Sequence, residues 1–289
     1  MISVIIATKN GEKYIARAIQ SALDQSVAKE NALDSSKYPG FEVVVISDGS
    51  TDKTADIVQS IANQDPRVKL TELTTNIGPG LARAKGIDST NPNNLYIAIL
   101  DDDDQWINPD KLKNQIAFLE THPNVLAVGA HKTEFISESG KHILWYYNNT
   151  DPSLLRKNML ARNPIVNSSV VYRKDAYKKV GGYTNLRLSE DYDLWLRLGL
   201  VGDIANIEGA ETRYTLRKSS MSGSNGAQAK KMALIVLAQI KQYKHKYPRY
   251  WIAALKGYAR LALLSTIGVS FLARVYANIK LILGMSPSK

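Results

Sequence analysis

The sequence predicts an α/β fold, a mostly parallel sheet flanked by helices, followed by a C-terminal helical appendage. Three observations carry that expectation. Short apolar runs alternate with stretches of helical periodicity over roughly the first 130 residues, as strands joined by crossover helices do. Polar clusters follow the first, second and fourth apolar runs, so all three open onto one edge of the sheet. Beyond Gly226 acidic residues disappear, and basic residues recur along a largely apolar segment.

Ile2 to Ala7 reads as the first strand, closed by the turn signal Thr8-Lys9-Asn10-Gly11. Ile15, Ala18, Ile19, Ala22 and Leu23 then mark one face of a helix. Ser26 to Gly40 is polar and reads as a long surface loop. Phe41 to Ile46 is the second strand. The cluster Ser47-Asp48-Gly49-Ser50-Thr51-Asp52 after it is suited to cap a helix carrying Ala55, Ile57, Val58 and Ile61. Val68 to Leu73 is the third strand, and a helix from about Pro79 to Ser89 has proline in its first turn. Leu95 to Leu100, with β-branched and aromatic residues, reads as a strand buried on both faces. A helix with Leu112, Ile116 and Leu119 and a strand near Val125 to Val128 follow. After Gly129 the alternation stops: His131 to Tyr147 reads as irregular or antiparallel strand, and Asn167 to Tyr172 as one more strand. Ser189 is placed to cap a helix bearing Leu194, Trp195, Leu196 and Leu198, with Glu190 and Asp191 in its first turn. Arg213 to Gly226 reads as a mobile loop.

A chain of 289 residues can bury a large core. The absence of cysteine excludes disulfides, thiolate metal sites and a cysteine nucleophile. The four histidines show no ligand spacing, and Ser168-Ser169 has no nearby His-Asp pattern. Met1-Ile2-Ser3-Val4 enters the strand pattern without a secretory n-region, so the cytoplasm is the expected compartment. Of the 37 Lys and Arg, eleven lie in residues 227–289, which contain no Asp or Glu. The rest of the chain is near neutral. That asymmetry points to a local anionic surface rather than to nucleic acid.

The stretch that organises the chain is Leu95 to Leu100 with Asp101-Asp102-Asp103-Asp104 at its end. Four like charges at the edge of a hydrophobic layer need a compensating cation, and oxygen donors favour Mg²⁺ or Mn²⁺ with a substrate's phosphates. A solvated acidic loop is the bland alternative.

Six stretches, in order over residues 1–222, resemble the family 2 glycosyltransferases of the GT-A (Rossmann-like) fold. They are Ser3 to Asn10, Ser47 to Asp52, Asn76-Ile77-Gly78 leading to Ala82-Arg83, Leu100 to Trp106, Val180-Gly181-Gly182-Tyr183, and Glu190 to Arg197. The resemblance implies inverting transfer of a hexosyl or N-acetylhexosaminyl group from a nucleotide sugar, with uridine as the family's commonest base. It places Thr8 and Asn10 in the nucleotide pocket, Asp48 and Arg83 facing the base, and Asp101 and Asp102 beside the ribose and diphosphate. Asp103, the last Asp of the DXD-like element, would hold Mn²⁺ or Mg²⁺, and Asp191 would be the general base. Glu190 and Arg217 complete the donor-binding set. Where the family's late loop often reads Tyr-Arg-x-His, this chain has Tyr214-Thr215-Leu216-Arg217, and Ala84 stands where many members have Asn. Arg217 is unable to ligate a metal but is suited to neutralising phosphate oxygens. Simpler roles stand beside these: Asp48 as a helix cap, Arg83 as a solvated helix residue.

The expected division is a catalytic domain over residues 1–222 and a basic helical region over 227–289. Leu261 to Ala273 is uncharged but too short to span a bilayer, which takes ~20 residues. Arg249, Lys256, Arg260 and Arg274 form a basic seam suited to an anionic membrane interface. The alternative is an apolar helix packed on the catalytic domain or, in a homodimer, on a second subunit. The expected partners are thus a nucleotide-sugar donor, a saccharide or lipid-linked acceptor and the inner face of the cell membrane. Sugar-phosphate nucleotidyl transfer and a non-catalytic nucleotide-sugar-binding module are the competing functions.

Overall fold

A computed structural model describes residues 1–33, 40–217 and 226–266. A seven-stranded sheet forms its centre, in the order β10-β6-β9-β4-β1-β2-β3. Its strands are β1 (Ile2–Thr8), β2 (Glu42–Asp48), β3 (Val68–Leu73), β4 (Tyr96–Ile99), β6 (Val125–Ala130), β9 (Val171–Arg173) and β10 (Asp203–Ile207). All neighbours pair in parallel except β9, which runs antiparallel to both β4 and β6. A second sheet, in the order β5-β11-β7-β8, joins β5 (Gln105–Trp106), β7 (Lys132–Ser137), β8 (His142–Tyr147) and β11 (Thr212–Leu216).

The sheet is covered on both faces, which is why its central strands are continuously apolar. Successive side chains alternate sides. Val4, Ile6, Val43 and Ala98 pack with residues of α1 (Ile15–Leu23) and α5 (Lys111–Thr121). Ile5, Val44, Ile97 and Ile99 pack on the other side with residues of α4 (Pro79–Asp88) and α8 (Glu190–Leu198). Leu237, Ile240 and Tyr243 of α9 (Gly226–Tyr243), Tyr247, and Ala253 of α10 (Tyr250–Thr266) join this second core. Tyr247 Oη donates to Leu196 O at 2.6 Å, and Gln239 Nε2 donates to Ser189 O at 3.1 Å. Helices 227–266 therefore share the core of the sheet domain. The expected boundary at residue 222 lies outside the described residues, as does Arg274 of the basic seam.

Four sequence expectations are corrected, the first being that Asn167–Ser169 forms a 3₁₀ turn and only Val171–Arg173 the expected strand. Ser26–Leu33 is a helix, α2, rather than loop, because Val27 and Ala28 bury one small apolar face; residues 34–39 lie outside the described part. Thr212–Leu216 is strand β11, held by β7 and β5, while 218–225 of the expected mobile loop lie outside the described residues. Ser189 does not cap α8: its φ is +62°, and its Oγ reaches Gln239 Oε1 at 3.3 Å instead of the helix's free N–H groups. The remaining helices are α3 (Thr54–Gln64), α6 (Pro152–Asn158) and α7 (Lys174–Lys179), with a 3₁₀ turn at Asn167–Ser169. Among the described residues no helix is long and apolar enough to cross a membrane.

Candidate active site

The C-terminal ends of β1, β2 and β4 open onto one cavity of about 1190 Å³. Thr8, Asn10, Asp48, Arg83, Asp101, Asp102, Asp103, Glu190, Asp191 and Arg217 all line it. Residues far apart in sequence meet there because parallel strands deliver their ends to a single edge.

After β1 the chain turns sharply. Asn10 adopts a left-handed conformation, φ +54°, which Asn tolerates through local hydrogen bonds. Its Oδ1 accepts from Thr51 N at 2.9 Å, tying this turn to the loop after β2. Thr8 Oγ1 donates to Asp102 Oδ2 at 2.6 Å. Gly11 makes that approach possible, since a Cβ there would lie 2.4 Å from both Thr8 Oγ1 and Asp102 Oδ2.

Asp48 is buried and does not cap α3. Its Oδ1 accepts from Ile77 N at 2.7 Å, and its Oδ2 from Gly78 N at 2.9 Å and Asn76 Nδ2 at 2.7 Å. Gly78 has φ +93°, a backbone conformation that favours glycine, and this turn brings two N–H groups onto one carboxylate. Asp48 thus anchors the loop entering α4.

Arg83 is buried rather than solvated. Nη1 lies 2.6 Å from Glu190 Oε1 and Nη2 lies 2.7 Å from Asp101 Oδ1. Burial works against its charge, but Asp101 and Glu190 more than offset that and hold the guanidinium well above its ordinary value. Asp101 also accepts from Asn167 Nδ2 at 2.9 Å.

The acidic quartet divides by environment. Asp104 is fully buried, accepting from Thr215 N at 2.8 Å and from Ser168 Oγ, so it fixes β11 beside the site; burial and the neighbouring Asp103 hold its carboxyl well above the usual range. Burial raises Asp102 as well, against the Thr8 hydrogen bond. Asp103 is pushed up to about 7 by burial and by the adjacent Asp102 charge. The Arg217 Nε lies 2.5 Å from Asp103 Oδ2, with another guanidinium nitrogen 3.8 Å from Asp102 Oδ1. Arg17, which sequence reasoning missed, donates to Asp103 O at 2.9 Å from α1.

Asp191 lies in the first turn of α8, half-buried in the cavity wall, and Asn163 Nδ2 donates to its Oδ2 at 3.1 Å. Burial first, and then the Glu190 charge, push its carboxyl up to about 6. A carboxylate with that value is suited to accepting a proton near neutral pH. Asn163 and Asn167, also missed, carry no sequence signal beyond the Asn163-Pro164 turn dipeptide.

Among the described residues no group of three or more His, Asp or Glu side chains is arranged to hold a metal by itself. The donor set nevertheless suits a hard divalent cation, because Asp101, Asp102 and Asp103 with Glu190 outnumber the two guanidiniums paired with them, an excess of carboxylate oxygen. Remaining ligands would come from phosphate oxygens and water.

Residues 3–181 match the family model for glycosyl transferase family 2. The chain is 30% identical over 213 residues to the amylovoran biosynthesis glycosyltransferase AmsE of Erwinia amylovora, covering 72% of this chain and 73% of that protein. It is 28% identical over 226 residues to WfaP of Escherichia coli, a UDP-Glc:α-D-GlcNAc-diphosphoundecaprenol β-1,3-glucosyltransferase, covering 78% and 80% respectively. Two relatives in Haemophilus influenzae are spanned over 67% and 46% of their own length. A mannosyltransferase from Pyrobaculum calidifontis, solved with GDP-Man and Mn²⁺, shares the fold with TM-score 0.64 at 18% identity, covering 97% of this chain and 80% of that one.

Proposed function

The chain belongs to glycosyl transferase family 2, and on that premise we propose that it moves a sugar from a UDP-sugar to a lipid-linked saccharide in polysaccharide synthesis, with inversion at the anomeric carbon. The observation that carries this reading is the meeting of Asp191 with Asp48 and Asp101–Asp103 on one cavity. Relatives named for amylovoran biosynthesis and for glucosyl transfer to a diphosphoundecaprenol acceptor support the substrate class.

In this mechanism Asp191 takes the proton of the acceptor hydroxyl as that oxygen bonds to the anomeric carbon. The bond from the same carbon to the nucleoside diphosphate breaks on the other side. Asn163 holds the carboxylate in position, and burial makes it basic enough near neutral pH. Thr8, Asn10 and Asp48 shape the nucleoside end, while Arg83 fixes Glu190 and Asp101 so that neither swings into the donor's place. Arg217 turns its guanidinium from Asp103 to the diphosphate oxygens when the donor enters. Asp103 would hold Mn²⁺ or Mg²⁺, which would supply positive charge to neutralise the departing diphosphate.

Nucleotidyl transfer would want a glycine-rich basic loop after β1, where this chain has only Thr8-Lys9-Asn10-Gly11. A merely binding module has no need of a carboxyl tuned like that of Asp191.

The outer face of α10 supports peripheral attachment to the inner, anionic face of the membrane. Trp251, Leu255 and Tyr258 recur at i, i+4 and i+7 and are 62%, 66% and 51% exposed. Lys256 and Arg260 of the expected basic seam line the cavity instead. A homodimer covering the same face is the competing reading, and sedimentation as a dimer without liposome binding would favour it. Screening nucleotide sugars with Mn²⁺ for thermal stabilisation tests the donor class: a UDP-sugar should raise Tm, and stabilisation by none would contradict the proposal.

A further inference from the structure

The cavity has a second charged region, none of whose residues is assigned to the donor. Arg162, Lys256 and Arg260 line it, and Arg162 and Lys256 also line a second cavity of about 250 Å³ that shares this wall. The guanidiniums near the acidic quartet are paired with carboxylates, Arg83 with Asp101 and Glu190 and Arg217 with Asp103 and Asp102, and Arg217 is assigned to the donor. Arg162, Lys256 and Arg260 have no carboxylate partner among the described residues. Arg162 donates to the Tyr146 hydroxyl at 2.7 Å and lies over that ring at 4.7 Å, contacts that leave its charge unpaired. Helix α10 has no acid of its own, because residues 227–289 contain no Asp or Glu. Ala253, Lys256, Gly257 and Arg260 share one face of α10 and all line the cavity, Lys256 and Arg260 at its open side, whereas Trp251, Leu255 and Tyr258 lie on the opposite face. Lys256 and Arg260 lie one helical turn apart and, with Arg162, line the same cavity, so a bound polyanion would offset three like charges.

We propose that Arg162, Lys256 and Arg260 form a subsite for a phosphate or diphosphate carried by the acceptor. The inference rests on the sugar-transfer reading and deepens it: the acceptor is an anionic, phosphate-linked saccharide rather than a neutral one. An anion held on this wall leaves the acceptor's hydroxyl-bearing end free to reach Asp191, which lines the same cavity. The same chemistry would serve a lipid-linked diphosphate or a soluble sugar phosphate, and apolar lining from Met232 and Val236 suits the former.

The full chain, saturated with UDP so that the donor site is filled, is titrated calorimetrically with geranyl diphosphate, inorganic diphosphate and geraniol. Wild type should bind geranyl diphosphate, and the double variant Lys256→Gln/Arg260→Gln, changed only at exposed positions, should bind it at least tenfold more weakly. UDP affinity of the variant should stay within twofold, which also reports that it is folded. Tighter binding of geranyl diphosphate than of inorganic diphosphate assigns the subsite to a lipid-linked acceptor; equal binding assigns it to a soluble sugar phosphate. A double variant that binds both diphosphates as wild type does, or geraniol binding as tight as geranyl diphosphate, overturns the proposal. Wild type that fails to bind UDP at all would instead contradict the sugar-transfer reading, so the two failures are distinguishable.

Discussion

Arg83 and Glu190, 107 residues apart, meet at 2.6 Å between Nη1 and Oε1 with both side chains buried. The pair joins α4 to α8 and so sets the start of the helix that carries Asp191. Removing one partner of a buried ion pair costs about 3–5 kcal/mol, because the other charge is left uncompensated. Arg83→Met is expected to lower the urea midpoint accordingly, and Arg83→Lys to fall between, since it keeps the charge but loses the fork that reaches Asp101. A midpoint for Arg83→Met equal to wild type would show that the bridge does not hold the two helices.

The Asp191 carboxyl, raised to about 6, implies a pH profile. A base must be ionised, so kcat/KM should rise with pH through about 6 and level off above it; a flat profile from pH 5 to 8 would remove Asp191 as the base. The stability consequence has the opposite sign. A carboxyl raised above its unfolded value of 3.8 favours the fold while protonated, and that contribution is lost as pH climbs through about 6. Asp191→Asn should therefore unfold at a higher temperature than wild type above pH 6, with the difference shrinking in acid.

Asp103 and Arg217 should separate under metal titration. Asp103→Ala is expected to lose the Mn²⁺-dependent part of UDP binding, roughly tenfold or more, since one charge-assisted contact is worth about 1.5–3 kcal/mol. Arg217→Gln should weaken UDP binding with and without metal, because its charge acts on the diphosphate directly. Equal responses to Mn²⁺ in wild type and Asp103→Ala would show that the metal, if used, is held elsewhere.

Much of the fold was legible because the α/β alternation imposes two clean periods, and Asp48, Asp101–Asp103 and Asp191 stood at strand or helix ends where such sheets gather ligands. What escaped was set by contacts distant in sequence. Arg17 reaches Asp103 O from a helix whose pattern marks only the apolar face. Lys111 would be read as a surface residue from its type, yet it is fully buried, its Nζ 2.6 Å from Gln115 Oε1 and 4.3 Å from the Trp106 ring centroid. Strand β11 hid in a polar stretch because β7 on one side and β5 on the other supply its pairing, a relation no local pattern encodes. Asp104 looked like a fourth member of a ligand cluster, and only its bonds to Thr215 N and Ser168 Oγ reveal that it holds a neighbouring strand.

Membrane attachment is best tested without truncation. Removing residues 227–289 would strip Leu237, Ile240 and Tyr243 from the core, and each fully buried apolar side chain contributes about 1.5–3 kcal/mol. The exposed triple variant Trp251→Ser/Leu255→Ser/Tyr258→Ser avoids this. It should keep Tm within about 2 °C of wild type, as surface changes usually do, while losing most flotation with anionic liposomes. Undiminished flotation would place the membrane contact elsewhere.

The central claim, that Asp191 deprotonates the acceptor during sugar transfer, is tested most directly by single-turnover transfer of labelled sugar from the stabilising UDP-sugar to a prenyl-diphosphate-linked saccharide. Wild type is compared with Asp191→Asn at saturating donor and Mn²⁺. The variant should bind UDP within about twofold of wild type and transfer roughly 10²–10⁴ times more slowly. Transfer by Asp191→Asn at the wild-type rate would contradict the account.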